Sequence, residues 1–239
     1  MDELYVIARR VLLDALEALG PHRDATILVG AQAIYLHTGN AELAVAEHTT
    51  DVDLALDPDL LDENPPLEQA LQEAGFLHMG TSAVGVWKTN AHGRDASDVE
   101  VQIDLLVPSA VSPGKGRRAA RLPGHDDHAA RKVDGLEGVL VDRAEMEIGS
   151  LEQDKDPRRV ATKVAGPGAL LVAKLFKISE RKRDRASERQ GRPRRAEDSP
   201  GHRDRSPGRE HRAHARRPAF QRGYRACHGS ARGVLRDSR

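Results

Sequence analysis

The segment Thr50-Asp-Val-Asp-Leu-Ala-Leu56 constrains this chain more than any other, because it puts two carboxylates on what otherwise reads as a buried strand. Side chains on a strand alternate between faces, so Asp51, Asp53 and Ala55 share one face and Val52, Leu54 and Leu56 the other. The strand rise sets the two carboxylates about 7 Å apart. Like charges at that spacing on a sheet call for compensation, and a divalent cation is the most economical form of it, since it turns repulsion into ligation. An Asp-x-Asp pair alone is also compatible with a merely solvated face.

A second segment repeats the pattern. Val99, Val101, Ile103 and Leu105 form one face of a strand spanning Asp98 to Val107, and Glu100, Gln102, Asp104 and Leu106 form the other. If the two strands are neighbours, Asp51, Asp53 and Asp104 converge on one patch of hard oxygen ligands, the donor set that magnesium prefers. Two such ions about 4 Å apart would suit an in-line displacement at phosphorus.

The rest of the pattern predicts a mixed sheet flanked by helices, an α/β (α+β) fold. Leu4, Ile7, Val11, Leu12, Ala15, Leu16 and Leu19 recur at helical spacing, with Arg9, Arg10, Asp14 and Glu17 mostly off that stripe, and Gly20-Pro21 ends the helix. Ala25 to Val29 reads as a strand, Gly30 as its terminator and Ala31 to Leu36 as a helix. Further strands are expected over Thr49 to Leu56, Ser82 to Lys88, Leu136 to Ile148 and Val160 to Ala165, with a short helix over Leu67 to Ala74. Residues 112 to 135, rich in Gly, Arg and His, read as a long exposed loop. Gly166-Pro167 opens a last helix through Ser179 or slightly beyond, on which Lys174, Lys177 and Arg181 form one stripe and Leu171, Leu175 and Ile178 its neighbour.

Charge divides the chain. Residues up to Glu180 hold 18 basic and 30 acidic side chains, and those from Arg181 onward 19 basic and 7 acidic. From residue 181 to the end there are 18 Arg and one Lys, and apolar periodicity stops. The reading is therefore a folded domain over residues 1–180 followed by a disordered basic tail over 181–239. The tail is either a native arm suited to RNA phosphates or the product of a reading-frame shift in a GC-rich gene, and the sudden excess of Arg over Lys favours the shift. Cys227 is the single cysteine, which excludes an internal disulfide. The start of the chain lacks a secretory pattern and no run of about 20 apolar residues occurs, so a cytoplasmic protein without a membrane span is expected.

Val29-Gly-Ala-Gln-Ala-Ile34, the strand Thr49-Thr-Asp-Val-Asp-Leu54 and Val101-Gln-Ile-Asp-Leu105 together resemble the polymerase-β-like nucleotidyltransferase superfamily, and within it the toxin-type nucleotidyltransferases of the AbiEii and MenT kind. The resemblance covers residues 1 to about 180. It implies that Gly30 and Ala31 form the phosphate-facing turn and that Asp51, Asp53 and Asp104 hold magnesium, Asp104 also helping to deprotonate an acceptor hydroxyl. Ala31 stands where the superfamily more often has a second Gly or Ser. A lysine of the last helix is implied to reach the triphosphate, Lys174 as first choice and Lys177 as second. The implied reaction is transfer of a nucleoside monophosphate from a nucleoside triphosphate to a tRNA 3′ end or a protein hydroxyl, with an antitoxin protein as partner. The rival reading is a degenerate, non-catalytic member that binds nucleotide or RNA.

Other motifs weigh less. Pro113-Gly-Lys-Gly-Arg-Arg118 lacks the spacing of a phosphate loop. His125-Asp-Asp-His128 could ligate zinc but more often would be exposed, and Trp87 is expected in the core or as an aromatic wall.

Overall fold

Helix α1 (Glu3–Ala18) is held by the apolar stripe that its sequence shows: Ile7, Val11, Leu12, Leu13, Ala15 and Leu16 are all buried. Each large apolar side chain buried in this way contributes about 1.5–3 kcal/mol relative to exposure. The computed structural model to which these elements belong describes residues 3–39, 51–93, 97–112 and 118–189, with side chains as far as Arg183. Arg9 departs from the expected outward position. It is only 4% exposed, and its guanidinium donates to Gln32 Oε1 (3.0 Å), the Gly149 carbonyl (3.3 Å) and the Tyr5 hydroxyl (2.8 Å). Those bonds across the fold offset the desolvation that helical spacing alone could not foresee.

The strands are β1 (Thr26–Val29), β2 (Val52–Leu56), β3 (Leu77–His78), β4 (Val86–His92), β5 (Asp98–Pro108), β6 (Arg131–Val133), β7 (Arg143–Gly149) and β8 (Arg159–Ala165). Helices α2 (Gly30–Thr38), α3 (Leu67–Glu73) and α4 (Pro167–Arg189) complete the regular elements, with short 3₁₀ turns at Gly20–His22 and Glu137–Leu140. One eight-stranded mixed sheet runs in the order β3-β4-β5-β2-β1-β8-β7, and β6 pairs with β5 off that path. The central strands are covered on both faces, as the complete burial of Val52, Leu54, Ala55 and Leu56 shows. Helix α1 crosses β4, β5, β2 and β8, so the α/β reading with a mixed sheet and flanking helices holds.

Several boundaries move. β2 begins at Val52, leaving Asp51 just before it, while Thr49 and Thr50 lie outside the described residues. The strand expected over Ser82 to Lys88 is shifted to Val86–His92, because Gly80 and Gly85 both take positive φ and shape a turn there. Leu136 to Ile148 splits into a 3₁₀ turn and β7. The stretch from 112 to 135 is not simply an exposed loop. Residues 113–117 lie outside the described residues, but Ala120, Leu122, Ala129 and Ala130 are buried and β6 follows them. Small apolar residues scattered among Gly, Arg and His were the overlooked signal, and Trp87, itself buried, donates its indole N–H to the Ala129 carbonyl at 3.0 Å.

Helix α4 starts at Pro167 beneath a side-chain cap from Asp142, whose Oδ2 accepts the Ala169 N–H at 2.8 Å. A Cβ at Gly166 would lie 1.8 Å from Asp142 Oδ1, so the glycine makes room for that cap. The helix continues past Ser179 to Arg189 with Leu171, Val172, Leu175, Phe176 and Ile178 exposed. The disordered tail expected from residue 181 therefore starts too early, since residues 181–189 continue α4; from residue 190 onward the tail and its proposed origins lie outside the described residues.

Candidate active site

Strands β2 and β5 run parallel with Asp53 opposite Asp104, so the two side chains share a face at adjacent-strand spacing, about 4.8 Å. Asp51, two residues before Asp53 and exposed, belongs to the same edge of the sheet. β1 pairs antiparallel with β2 and brings Val29 opposite Asp53. The chain then turns at Gly30 (φ 68°) into α2. A Cβ at Gly30 would fall 2.1 Å from Asp53 Oδ2. The glycine is thus required twice, for a left-handed backbone and for the volume that the carboxylate occupies. Sequence reasoning assigned Gly30 to a phosphate; its nearest neighbour here is the aspartate. Ala31, next to it, lies half-buried in the first turn of α2.

Electrostatics single out this corner. The Asp53 carboxyl is raised above the usual carboxylate range by burial first and then by Asp104, with Asp51 adding to the effect and Lys177 and Arg131 opposing it. Asp51, exposed as a residue but with its carboxyl partly desolvated, is raised first by that desolvation and then by Asp104, again against the pull of Lys177. Three acids therefore crowd one another with too little compensating charge. Of the two lysines expected to face the site, both exposed on α4, Lys177 is the one whose charge acts on Asp51 and Asp53.

Arg131 was missed in the sequence. It pairs through a guanidinium N–H with Asp104 Oδ2, and the topology explains why. β4 covers the outer edge of β5 as far as Asp104, and β6 takes over from Leu106, which lies opposite Arg131. The exchange occurs at Gly85, where a Cβ would meet the Arg131 backbone nitrogen at 2.6 Å and the Leu105 carbonyl at 2.7 Å. Arg131 and Asp104 consequently share a face. The available signal was the short apolar-flanked run Ala129-Ala-Arg-Lys-Val133 within a segment whose composition suggested a loop.

The zinc candidate dissolves. His125 is 9% exposed and its Nδ1 accepts the Leu67 N–H at 3.1 Å, so that nitrogen fastens the start of α3. Burial and His22 hold its pKa below the usual histidine range. Among the described residues no group of three His, Cys, Asp or Glu side chains is arranged to hold a metal ion.

For the triad, donor chemistry and arrangement differ. Three crowded carboxylates, two of them with raised pKa, are by chemical type the hard-oxygen donors that a divalent cation prefers, although no three of them are arranged around a metal position among the described residues. Asp104 nevertheless spends an oxygen on Arg131. With Lys177 and the N-terminus of α2 beside the acids, the corner can hold polyanionic phosphates against carboxylates only when further positive charge is present.

No helix among the described residues is long and apolar enough to cross a membrane. Searches of curated proteins and of solved structures gave no match. A family model described as nucleotidyltransferase matches residues 9–198, which include β1, α2, β2, β5 and all of α4. Over that span, most of its length, this chain belongs to the nucleotidyltransferase family.

Proposed function

We propose that this chain is a magnesium-dependent enzyme that transfers a nucleoside monophosphate from a nucleoside triphosphate to a hydroxyl group, with release of pyrophosphate. The observation that carries the reading is the pairing of Asp53 with Asp104 on adjacent parallel strands, beside Asp51 and the glycine that opens α2. Family membership supports the general reaction and a nucleoside triphosphate substrate.

In this reading Asp51, Asp53 and Asp104 hold two magnesium ions, which supply charge neutralisation to the triphosphate and its leaving group. Asp104, the acid nearest the outer strands, accepts the proton of the acceptor hydroxyl as it attacks the α-phosphorus. Lys177, whose charge acts on Asp51 and Asp53, would offset the terminal phosphates; Lys174 is the alternative if the helix face turns toward a bound substrate. Gly30 seats the Asp53 carboxylate at the start of α2, and the small Ala31 beside it would leave the turn's N–H groups open to phosphate oxygens. Resemblance to the AbiEii and MenT toxins gives the acceptor class, a tRNA 3′ end or a protein side-chain hydroxyl. The same resemblance gives a toxin role with an antitoxin partner, in the cytoplasm.

Calorimetric titration of each nucleoside triphosphate into the full chain, with and without magnesium, tests the reading. Binding that needs magnesium and disappears in Asp51→Ala supports it, and radiolabelled nucleotide incorporation into tRNA or protein then identifies the acceptor. One observation favours a second reading, a non-catalytic nucleotide- or RNA-binding protein: Asp104 is engaged by Arg131. RNA binding that is indifferent to magnesium and to Asp51→Ala, with no nucleotide incorporated, selects it.

A further inference from the structure

Arg131 touches the carboxylate corner without belonging to the set that the family pattern supplies. Its side chain is 37% exposed and that of Asp104 18%. One terminal N–H meets Asp104, while Nε is buried and has no hydrogen-bond partner. A guanidinium offers five donors in a planar fork that matches carboxylate or phosphate oxygens two at a time. Here the fork is only partly used, and a buried N–H without an acceptor costs about 1–3 kcal/mol. The Asp104 contact is therefore a poor resting place for a group with a better partner to find.

The backbone beneath it is fixed. Arg131 lies opposite Leu106 in the β5–β6 pairing, and its backbone nitrogen packs where Gly85 lacks a Cβ. The side chain can exchange partners while the strand stays in place. A divalent cation cannot gain the Asp104 oxygen that faces Arg131 without replacing the guanidinium, and the exchange swaps one positive charge for another.

We propose that Arg131 is the internal counter-ion of this site: it neutralises Asp104 until a divalent cation displaces it, and the freed guanidinium then binds an oxygen of the incoming triphosphate. The inference rests on the metal-site reading above and adds to it a competition and a phosphate ligand. Arg131 consequently weakens metal binding to the nucleotide-free protein and strengthens triphosphate binding to the metal-loaded one. A residue that merely braced Asp104 would move both affinities the same way.

The experiment is calorimetry on the full chain and its Arg131→Gln, Arg131→Lys and Asp53→Asn variants. The probes are Mn²⁺ alone and then inorganic triphosphate added to Mn²⁺-saturated protein. Arg131→Gln is expected to bind Mn²⁺ about fivefold to tenfold more tightly than the wild type, the equivalent of a partly screened charge-assisted hydrogen bond. The same variant is expected to bind inorganic triphosphate about tenfold more weakly. Arg131→Lys keeps the charge and loses the fork, so it falls between the two, and it carries the test if the glutamine variant does not fold. Mn²⁺ affinity that is unchanged or weaker in the Arg131 variants overturns the inference while leaving the metal site standing. Mn²⁺ binding that is absent from every protein, or indifferent to Asp53→Asn, overturns the metal-site reading itself and the inference with it.

Discussion

Three carboxylates cluster beside an arginine at two places in this fold, and the two clusters reach opposite electrostatic states. Arg158 donates to Asp14 (2.7 Å) and Glu17 (2.9 Å) of α1 and to both oxygens of Asp156 (2.8 Å each). Asp156 is held below the usual carboxylate range, chiefly by its hydrogen bonds to Arg158, and the guanidinium is correspondingly harder to deprotonate. At the other cluster Arg131 meets only Asp104, and Asp51 and Asp53 are pushed upward. Equal numbers of acids therefore serve different ends. Around Arg158 the charges meet one another at a partly exposed site and fasten α1 to the chain before β8. At the sheet corner they meet incompletely, and the missing positive charge is what the divalent cations proposed above would supply.

The largest effect expected from this contrast is at Asp53. Asp53→Asn removes a charge that the fold already finds costly, so metal-free thermal stability should stay level or rise. Nucleotidyl transfer should fall by at least about 10²–10³-fold, the loss seen when one electrostatic contact to a transition state is removed. Asp156→Asn should do the reverse, lowering stability slightly and leaving transfer intact. Melting curves beside a radiolabelled-nucleotide assay separate the cases, and a marked loss of stability in Asp53→Asn breaks the contrast.

Gly30→Ala should come next. The methyl group would require both a strained positive φ and displacement of the Asp53 carboxylate, whose Oδ2 lies 2.1 Å from the added Cβ. A cost of about 1–3 kcal/mol is expected from the backbone alone, read from the urea midpoint, with loss of metal-dependent triphosphate binding. Gly20→Ala is the control, since a Cβ there meets nothing within 4 Å. If the two substitutions cost the same, Gly30 is not the carboxylate's seat.

What was legible in the sequence follows from the range of the forces involved. Period-two alternation placed Asp53 and Asp104 on strands, and helical spacing found α1 and α4, because those signals are local. The parallel pairing of β2 with β5 needed only the assumption that the two strands are neighbours. Arg131 was not legible. Its meeting with Asp104 depends on β6 taking over the β5 edge at Gly85, a tertiary event inside a segment of loop-like composition. Arg9 failed for a related reason, its partners being Tyr5 one turn away but also Gln32 and Gly149 far along the chain. The zinc reading of His125 fell because composition cannot tell that its Nδ1 accepts the Leu67 N–H. Lys177 and Lys174 shared a stripe in the sequence, and only the charge of Lys177 acting on Asp51 and Asp53 distinguishes them.

Asp142→Ala tests how firmly α4 carries Lys177 to its cluster. The lost cap at Ala169 should cost about 1 kcal/mol, within the usual 0.5–2 kcal/mol for helix N-termini. In a chain of this size that corresponds to a fall of about 2–4 °C in Tm. Triphosphate affinity should weaken with it, whereas Asp14→Ala at the balanced cluster should leave affinity unchanged. An Asp142→Ala protein with reduced stability and full affinity would show that Lys177 does not depend on this end of the helix.

The smallest effect belongs to the balanced cluster and depends on pH. Asp156 has a folded pKa depressed by Arg158, so the unfolded state takes up protons before the folded one does as pH falls. Its contribution is therefore fully present above the unfolded carboxylate value of about 3.9 and is lost as pH drops through the folded value. Arg158→Gln removes that contribution. The stability gap between wild type and variant should be a few tenths of a kcal/mol to about 1 kcal/mol near neutrality, as for other partly exposed ion pairs, and smaller in high salt. It should stay flat from pH 7 to about pH 5 and close below about pH 4. Denaturation midpoints measured across that range decide the matter. A gap that widens toward acid would mean that Asp156 is not stabilised as an anion by Arg158, and that the two clusters differ less than their geometry implies.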